Sequence, residues 1–236
     1  MEIRWDIPTL CLVLLAATVA SFFLAAVRRS DAAESAKGGR KLFPIIAAGL
    51  GLWLVYTAQM ALQGSLLDAG AMPPPFVRII APGLAIAFAI ALSPLGGRLT
   101  RNLGYAALIG FHAFRLPLEF VLYAFHTQGR LPVQMTFAGR NFDILTGISA
   151  ILVAWLAYRG KAGRRTILLW NLAGFGLLLN IMAVAILSLP GPMRAFTNEP
   201  VNELVLHFPY VWLPAVLVVA AFAGHLLLFR KLAKGP

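Results

Sequence analysis

The sequence predicts an all-α protein, a bundle of seven membrane-spanning helices with its N-terminus outside and its C-terminus in the cytoplasm. Three observations carry this. Of the 236 residues, 60% are hydrophobic and only 12% charged, against roughly 45–50% and about 25% in soluble domains. Apolar runs of about twenty residues recur, the length a helix needs to cross a bilayer, whereas an outer-membrane barrel would alternate apolar and polar positions. The cations, finally, are segregated into alternate connections, the asymmetry that sets topology in helical membrane proteins.

The spans read, in order, as residues 8–27, 42–63, 76–95, 104–127, 144–158, 166–189 and 208–229. The first is followed directly by Arg28 and Arg29 and preceded by Glu2, Asp6 and Arg4. That flanking pattern is not a secretory leader's, so the span is expected to stay as a reverse-oriented anchor. The fifth is short and begins within the Asn141 to Asp143 turn, and Pro214 is placed to kink the seventh. No connection is long enough for a separate soluble module, so residues 1–236 read as a single helical membrane domain.

Orientation follows from the cations. One set of connections holds fourteen: Arg28, Arg29, Lys37, Arg40 and Lys41, then Arg98 and Arg101, then Arg159, Lys161, Arg164 and Arg165, then Arg230, Lys231 and Lys234. The other set holds five, Arg4, Arg78, Arg130, Arg140 and Arg194, together with six of the nine acids, Glu2, Asp6, Asp68, Asp143, Glu199 and Glu203. The cation-rich side is expected in the cytoplasm, with the N-terminus outside and the C-terminus inside, as for a multi-pass membrane protein. A net charge of +11 spread over short loops argues against nucleic-acid binding, and the partner implied is the lipid bilayer. The single cysteine, Cys11, excludes an internal disulfide and a thiolate metal cluster, and no metal site is expected.

The fourth span carries the densest chemistry. On a helix turning about 100° per residue, His112, Arg115, Glu119 and His126 fall within an arc of about 60°. A charge near mid-membrane costs about 2.5–3.5 kcal/mol on insertion scales, so Arg115 and Glu119 should face the bundle interior. Four residues apart, they are expected to pair within the helix. Pro117 between them leaves the Ala113 carbonyl without its usual donor and invites a kink. The site reading competes with a structural one, in which the pair only fastens helices together. Tyr56, Gln59 and Gln63 share a face of the second span and are expected to add to this interior, as is Asn180 on the sixth; Asn171, nine residues earlier, points the opposite way.

Two outer loops follow. In Met135-Thr136-Phe137-Ala138-Gly139-Arg140-Asn141-Phe142-Asp143, Asn141 or Asp143 is expected to cap the fifth span; alternatively Arg140 and Asn141, beside a helix N-terminus, hold a small polar or anionic ligand. In the later loop, Thr197 or Asn198 with Pro200 just inside predicts a short interfacial helix ending near Pro209, with Phe208, Tyr210 and Trp212 as an interfacial aromatic belt.

Several of these runs together resemble a family of uncharacterised bacterial multi-spanning integral membrane proteins: Phe114-Arg115-Leu116-Pro117-Leu118-Glu119, the Met135 to Asp143 loop, Leu169-Trp170-Asn171, Leu179-Asn180-Ile181, and Phe208-Pro209 through Pro214 with His225. The likeness covers about residues 104–229, and this sequence has Ala138 where the family pattern carries Glu. The resemblance implies a bacterial multi-spanning protein and no established activity.

Three functions compete. The first is a binding or transport bundle with a buried Arg115–Glu119 site open to the outer face, drawing on His112, Arg140, Asn141, Asp143, Asn180 and His225. The second is a b-type cytochrome with two haems, held by His112 with His225 and by His126 with His207, if the fourth and seventh spans are neighbours. The third is an intramembrane enzyme using Glu119 or a histidine as acid or base; no zincin, nucleophile-elbow or phosphate-loop motif supports it. No lysine lies inside a span to form a retinal Schiff base.

Overall fold

The structure, a computed structural model, describes residues 4–36 and 39–234; Glu2 and Lys37, counted in the charge balance, lie outside the described residues. It is helical throughout, with no strand among the described residues. Five helices are long and apolar enough to cross a membrane, and a sixth crossing arises if one bent pair counts as a single span.

Helix α1 (Ile7–Ser35) begins where the Asp6 carboxylate accepts the Thr9 N–H, and it runs two turns past the boundary expected at residue 27. The extension has a purpose in the fold. It brings Asp31 to the start of α2 (Phe43–Leu62), where one carboxylate oxygen accepts the N–H groups of Leu42 and Phe43, both at 2.6 Å. These are orphan donors that a helix N-terminus otherwise leaves to water.

Helix α2 is peripheral, with 11% of its apolar window buried against 61% for the last span. Its inner face is Thr57 and Ala61, while Tyr56, Gln59 and Gln63 are exposed. The expected contribution of those three to the interior is therefore wrong. The helix is turned by Trp53, whose indole N–H donates to the Ala215 carbonyl at 2.9 Å.

Helices α3 (Val77–Leu92) and α4 (Pro94–Asn102) are bent by 64° at Ser93, whose hydroxyl accepts from Gly96 while Pro94 opens the new helix. The break frees carbonyls, and Arg230 supplies the donors, bonding Ala91 and Ser93. The next span is continuous from residue 105 to 127 but not uniform: α5 (Tyr105–Gly110), a 3₁₀ turn (Phe111–Phe114), and α6 (Arg115–Thr127). Pro117 cannot donate to Ala113 and its ring crowds that carbonyl; the turn ahead of it winds more tightly instead of kinking.

Helix α7 (Asp143–Tyr158) is apolar but only 16 residues long, and it lies hard against α6. A Cβ on Gly147 would come within 2.5 Å of the Leu116 nitrogen, so only glycine permits this approach of two backbones. Helix α8 (Arg164–Ile186) follows. The last span opens with a π-helical turn (Leu213–Val218) and continues as α9 (Val219–Ala233), a turn later than expected. Pro214 sits in the widened turn, whose Ala215 carbonyl is the one taken by Trp53. This is the local response to a proline without an N–H.

The outer helix expected over residues 198–209 is replaced by a single 3₁₀ turn (Leu204–Leu206). The segment is tied to the end of α8 instead: Asn202 donates through its main chain to Ser188 and through its amide to Ala185. Tyr210 does not face outward as an aromatic-belt residue would. It is buried, its hydroxyl meeting Thr9 and Arg130, and Arg130 in turn bonds Asp6 at 3.0 Å. One end of the bundle is thus knotted by Asp6, Thr9, Arg130 and Tyr210. The other gathers Asp31, Arg98 and Arg230, with the Glu34–Arg101 pair.

Candidate functional site

Inside the bundle the span from α5 to α6 presents His112, Arg115 and Glu119, all at most 1% exposed. Arg115 does not pair with Glu119 as the four-residue spacing suggested. Its Nη2 lies 2.9 Å from Oδ2 of Asp143, the first residue of α7. Its Nη1 donates to the Gly174 carbonyl on α8 at 3.4 Å and stands 3.2 Å from Nε2 of His225 on α9. The reason is packing. The close α6–α7 contact at Gly147 sets the N-terminal turn of α7 beside Arg115, and a partner on a neighbouring helix lets the guanidinium bind without folding back along its own.

Glu119 is held by Asn141 instead, whose amide donates to Oε1 at 2.6 Å and to the Met135 carbonyl at 3.1 Å. The amide oxygen of Asn141 accepts the Asp143 N–H at 3.1 Å. One side chain therefore bridges the Glu119 carboxylate and the start of α7. Neither Asn141 nor Asp143 is a conventional cap; Phe142 occupies that position without a side-chain bond.

The state of His225 follows from its neighbours. The Asn171 amide donates to the main-chain carbonyl of His225 at 3.2 Å, which turns Oδ1 toward the ring, 2.8 Å from Nδ1. Nδ1 therefore carries the proton, and the Nε2 lone pair accepts from Arg115. Arg115 stands at the centre of this chain: it pairs with Asp143 on one side and donates to the neutral His225 imidazole on the other, which in turn donates to Asn171. His112 lies against His225, ring centroids 4.0 Å apart and planes tilted by 35°, and meets Trp170 edge-on at 5.6 Å.

Beside these groups lies a cavity of about 60 Å³, room for a few water molecules. Glu119, Asn141 and Asp143 are its polar lining; Met135, Ile181, Met182 and Pro214 are among its apolar walls. Among the described residues of this cluster, Glu119 Oε2, Asp143 Oδ1, Thr146 Oγ1 and both ring nitrogens of His112 are buried without a hydrogen-bond partner, and Arg115 Nη2 meets Asp143 as an ion pair without hydrogen-bond geometry.

A family profile, described as a domain of unknown function (DUF8737), matches residues 76–233. The chain belongs to that family. The DUF8737 segment runs from the start of α3 through α9 and contains every residue of the cluster; α1 and α2 precede it. None of the curated proteins and none of the solved structures matches the chain.

Of the residues singled out in the sequence, the DUF8737 fold brings together His112, Arg115, Glu119, Asn141, Asp143 and His225. It leaves out two. The exposed Arg140 lays its guanidinium over the Phe196 ring, 5.3 Å from the centroid, and its carbonyl accepts from Asn180. Asn180 thus faces the loop, and the interior asparagine of α8 is Asn171; the two do point opposite ways, but the interior face was misassigned. Asn171 stands in the run Leu169-Trp170-Asn171, which was the available signal. Thr146, three residues after Asp143 on the same face of α7, carried a weaker one.

The helices that carry His112 and His225 are neighbours, as the haem arrangement required, but the two imidazoles touch each other. Centroids 4.0 Å apart leave no space for a porphyrin between them, so the pair does not fit a bis-histidine haem. His126 is bonded to the Leu131 carbonyl and His207 to Glu203, both through local contacts.

Proposed function

We propose that this chain is a seven-span protein of a bacterial cytoplasmic membrane, N-terminus outside and C-terminus in the cytoplasm. In this reading it forms a binding or transport bundle for a small polar ligand, and the site of Arg115, Glu119, Asn141 and Asp143 opens to the outer face. The observation that carries the reading is the cavity beside two buried carboxylates, each with an oxygen left without a partner. A cluster serving only to fasten helices is expected to satisfy its buried polar atoms. The free atoms that line the cavity are carboxylate oxygens, which accept, and the nearest cation, Arg115, is ion-paired with Asp143. The ligand accordingly offers donors or positive charge, not the anion suggested by Arg140.

The test places thiols on the cavity wall, Met135→Cys and Met182→Cys in a Cys11→Ser background. A membrane-impermeant cationic methanethiosulfonate added to intact cells should modify both, and faster than an anionic reagent of similar size. Modification only after the cytoplasmic side is exposed, or no preference for the cation, would refute the reading.

A further inference from the structure

We infer that the ligand exchanged at this site is a proton, carried on Oε2 of Glu119 and taken up from water in the cavity. The inference rests on the reading of the cavity as the binding site and names what occupies it. It begins with a charge count. Arg115 contributes one positive charge and Glu119 and Asp143 one negative charge each. His225 is neutral, since its Nε2 accepts from Arg115 while Nδ1 donates to Asn171. His112, fully buried, has neither ring nitrogen bonded. The walls from α3, α8 and the π-helical turn, which include Ile80, Ile181 and Pro214, are apolar. The cluster therefore carries one uncompensated negative charge in a medium where that is expensive, and a single added proton neutralises it.

Geometry assigns the proton to Glu119. Asp143 already has a guanidinium at 2.9 Å, so its charge is compensated. Glu119 has only the neutral Asn141 amide on Oε1, and Oε2 has no partner. An alkali or alkaline-earth ion is a poorer occupant. Such ions collect about six oxygens or more, whereas the free ones here are Glu119 Oε2, Asp143 Oδ1 and Thr146 Oγ1. No group of three or more His, Cys, Asp or Glu side chains suited to a metal occurs among the described residues. The step is a simple acid–base exchange: an O–H bond forms between Oε2 and a proton delivered by hydronium, a water molecule leaves, and release is the reverse. No electron is transferred.

Infrared spectroscopy of the full-length purified protein reads this directly. At neutral pH the carbonyl stretch of an un-ionised carboxyl should be present, should shift in D₂O, and should be lost in Glu119→Gln. Glutamine keeps the acceptor for Asn141 and mimics the protonated acid, so this variant is expected to fold. Glu119→Asp, which keeps a carboxyl, should retain a displaced band. A band that persists in Glu119→Gln places the proton elsewhere and overturns the inference. So does the absence of any band, with thermal stability rising in NaCl or KCl relative to choline chloride identifying an alkali cation as the occupant. The thiol-labelling result is independent: labelling without the band leaves the site and removes the proton, while the band without labelling does the opposite.

Discussion

The guanidinium of Arg115 is shared among acceptors on three helices, Asp143 on α7, Gly174 on α8 and His225 on α9. Removing one partner of a buried ion pair leaves the other charge uncompensated, at a cost of about 3–5 kcal/mol. Asp143→Asn is therefore expected to destabilise the purified protein by about that much, and a double-mutant cycle with Arg115→Gln should show strong coupling. The corresponding cycle between Arg115 and Glu119 should show coupling of about 1 kcal/mol or less, because no direct contact joins them. Equal coupling in the two cycles would restore the intrahelical pair that the sequence suggested. Spacing identified both residues and their inward face correctly. It could not identify the partner, because a four-residue interval states which side chains can meet along one helix and nothing about what another helix brings closer. Gly224 is a second test at this scale. A Cβ there would stand 2.9 Å from Nε2 of His112, a ring confined by His225 and Trp170. Gly224→Ala should lower stability by about 1–3 kcal/mol, and His112→Ala in the same chain should recover part of the loss.

At the scale of the elements, apolar length is a property of each segment alone, so, apart from Asp143–Tyr158, an apolar helix shorter than a crossing, five or six of the seven expected spans were legible. Their ends were less so, because ends are made by partners distant in sequence. Helix α1 outruns its basic pair in order to lend Asp31 to α2, and the loop after α8 gives up a helix to bind that helix's own terminus. The faces of α2 and α8 were misread for a related reason: a polar side chain inside a membrane protein and one at its surface look alike until the neighbours are known. The start of α1 yields a prediction of its own. Burial works to raise the Asp6 pKa, but the Thr9 hydroxyl and N–H, with the charges of Arg130 and Arg4, outweigh it and hold the carboxyl below its usual value. A group depressed in the folded state contributes stability that is complete above its unfolded pKa, about 3.9 for Asp, and is lost as pH falls through the folded value. Thermal unfolding in detergent should accordingly show an acid limb below about pH 4 that is shallower in Asp6→Asn. An unchanged limb would mean that the tie between α1, Arg130 and Tyr210 carries little of the folding energy.

At the scale of the whole molecule, the structure gathers polar chemistry at two ends of different character. Asp31, Arg98, Arg101 and Arg230 meet at one end; Asp6, Arg130, Gln134 and Ser188 meet at the other, on the cavity side. The proposed orientation rests on fourteen cations in one set of connections against five in the other, since short basic loops are retained in the cytoplasm. Alkaline phosphatase needs disulfides that form only outside the cytoplasm, so it reports the side reached by the segment carrying it. Fused after Ala195, between α8 and the last span, it should be active; fused after Lys234 it should be inactive, while a fluorescent protein at Lys234 should glow. The opposite pattern would invert the bundle and turn the Glu119 cavity toward the cytoplasm. The proton inference would survive that inversion, because it depends on the charge count and the unpartnered carboxylate oxygen, but the source of the proton would change sides. Activity at both positions would instead mean that the last helix, the most buried of the apolar helices, does not cross.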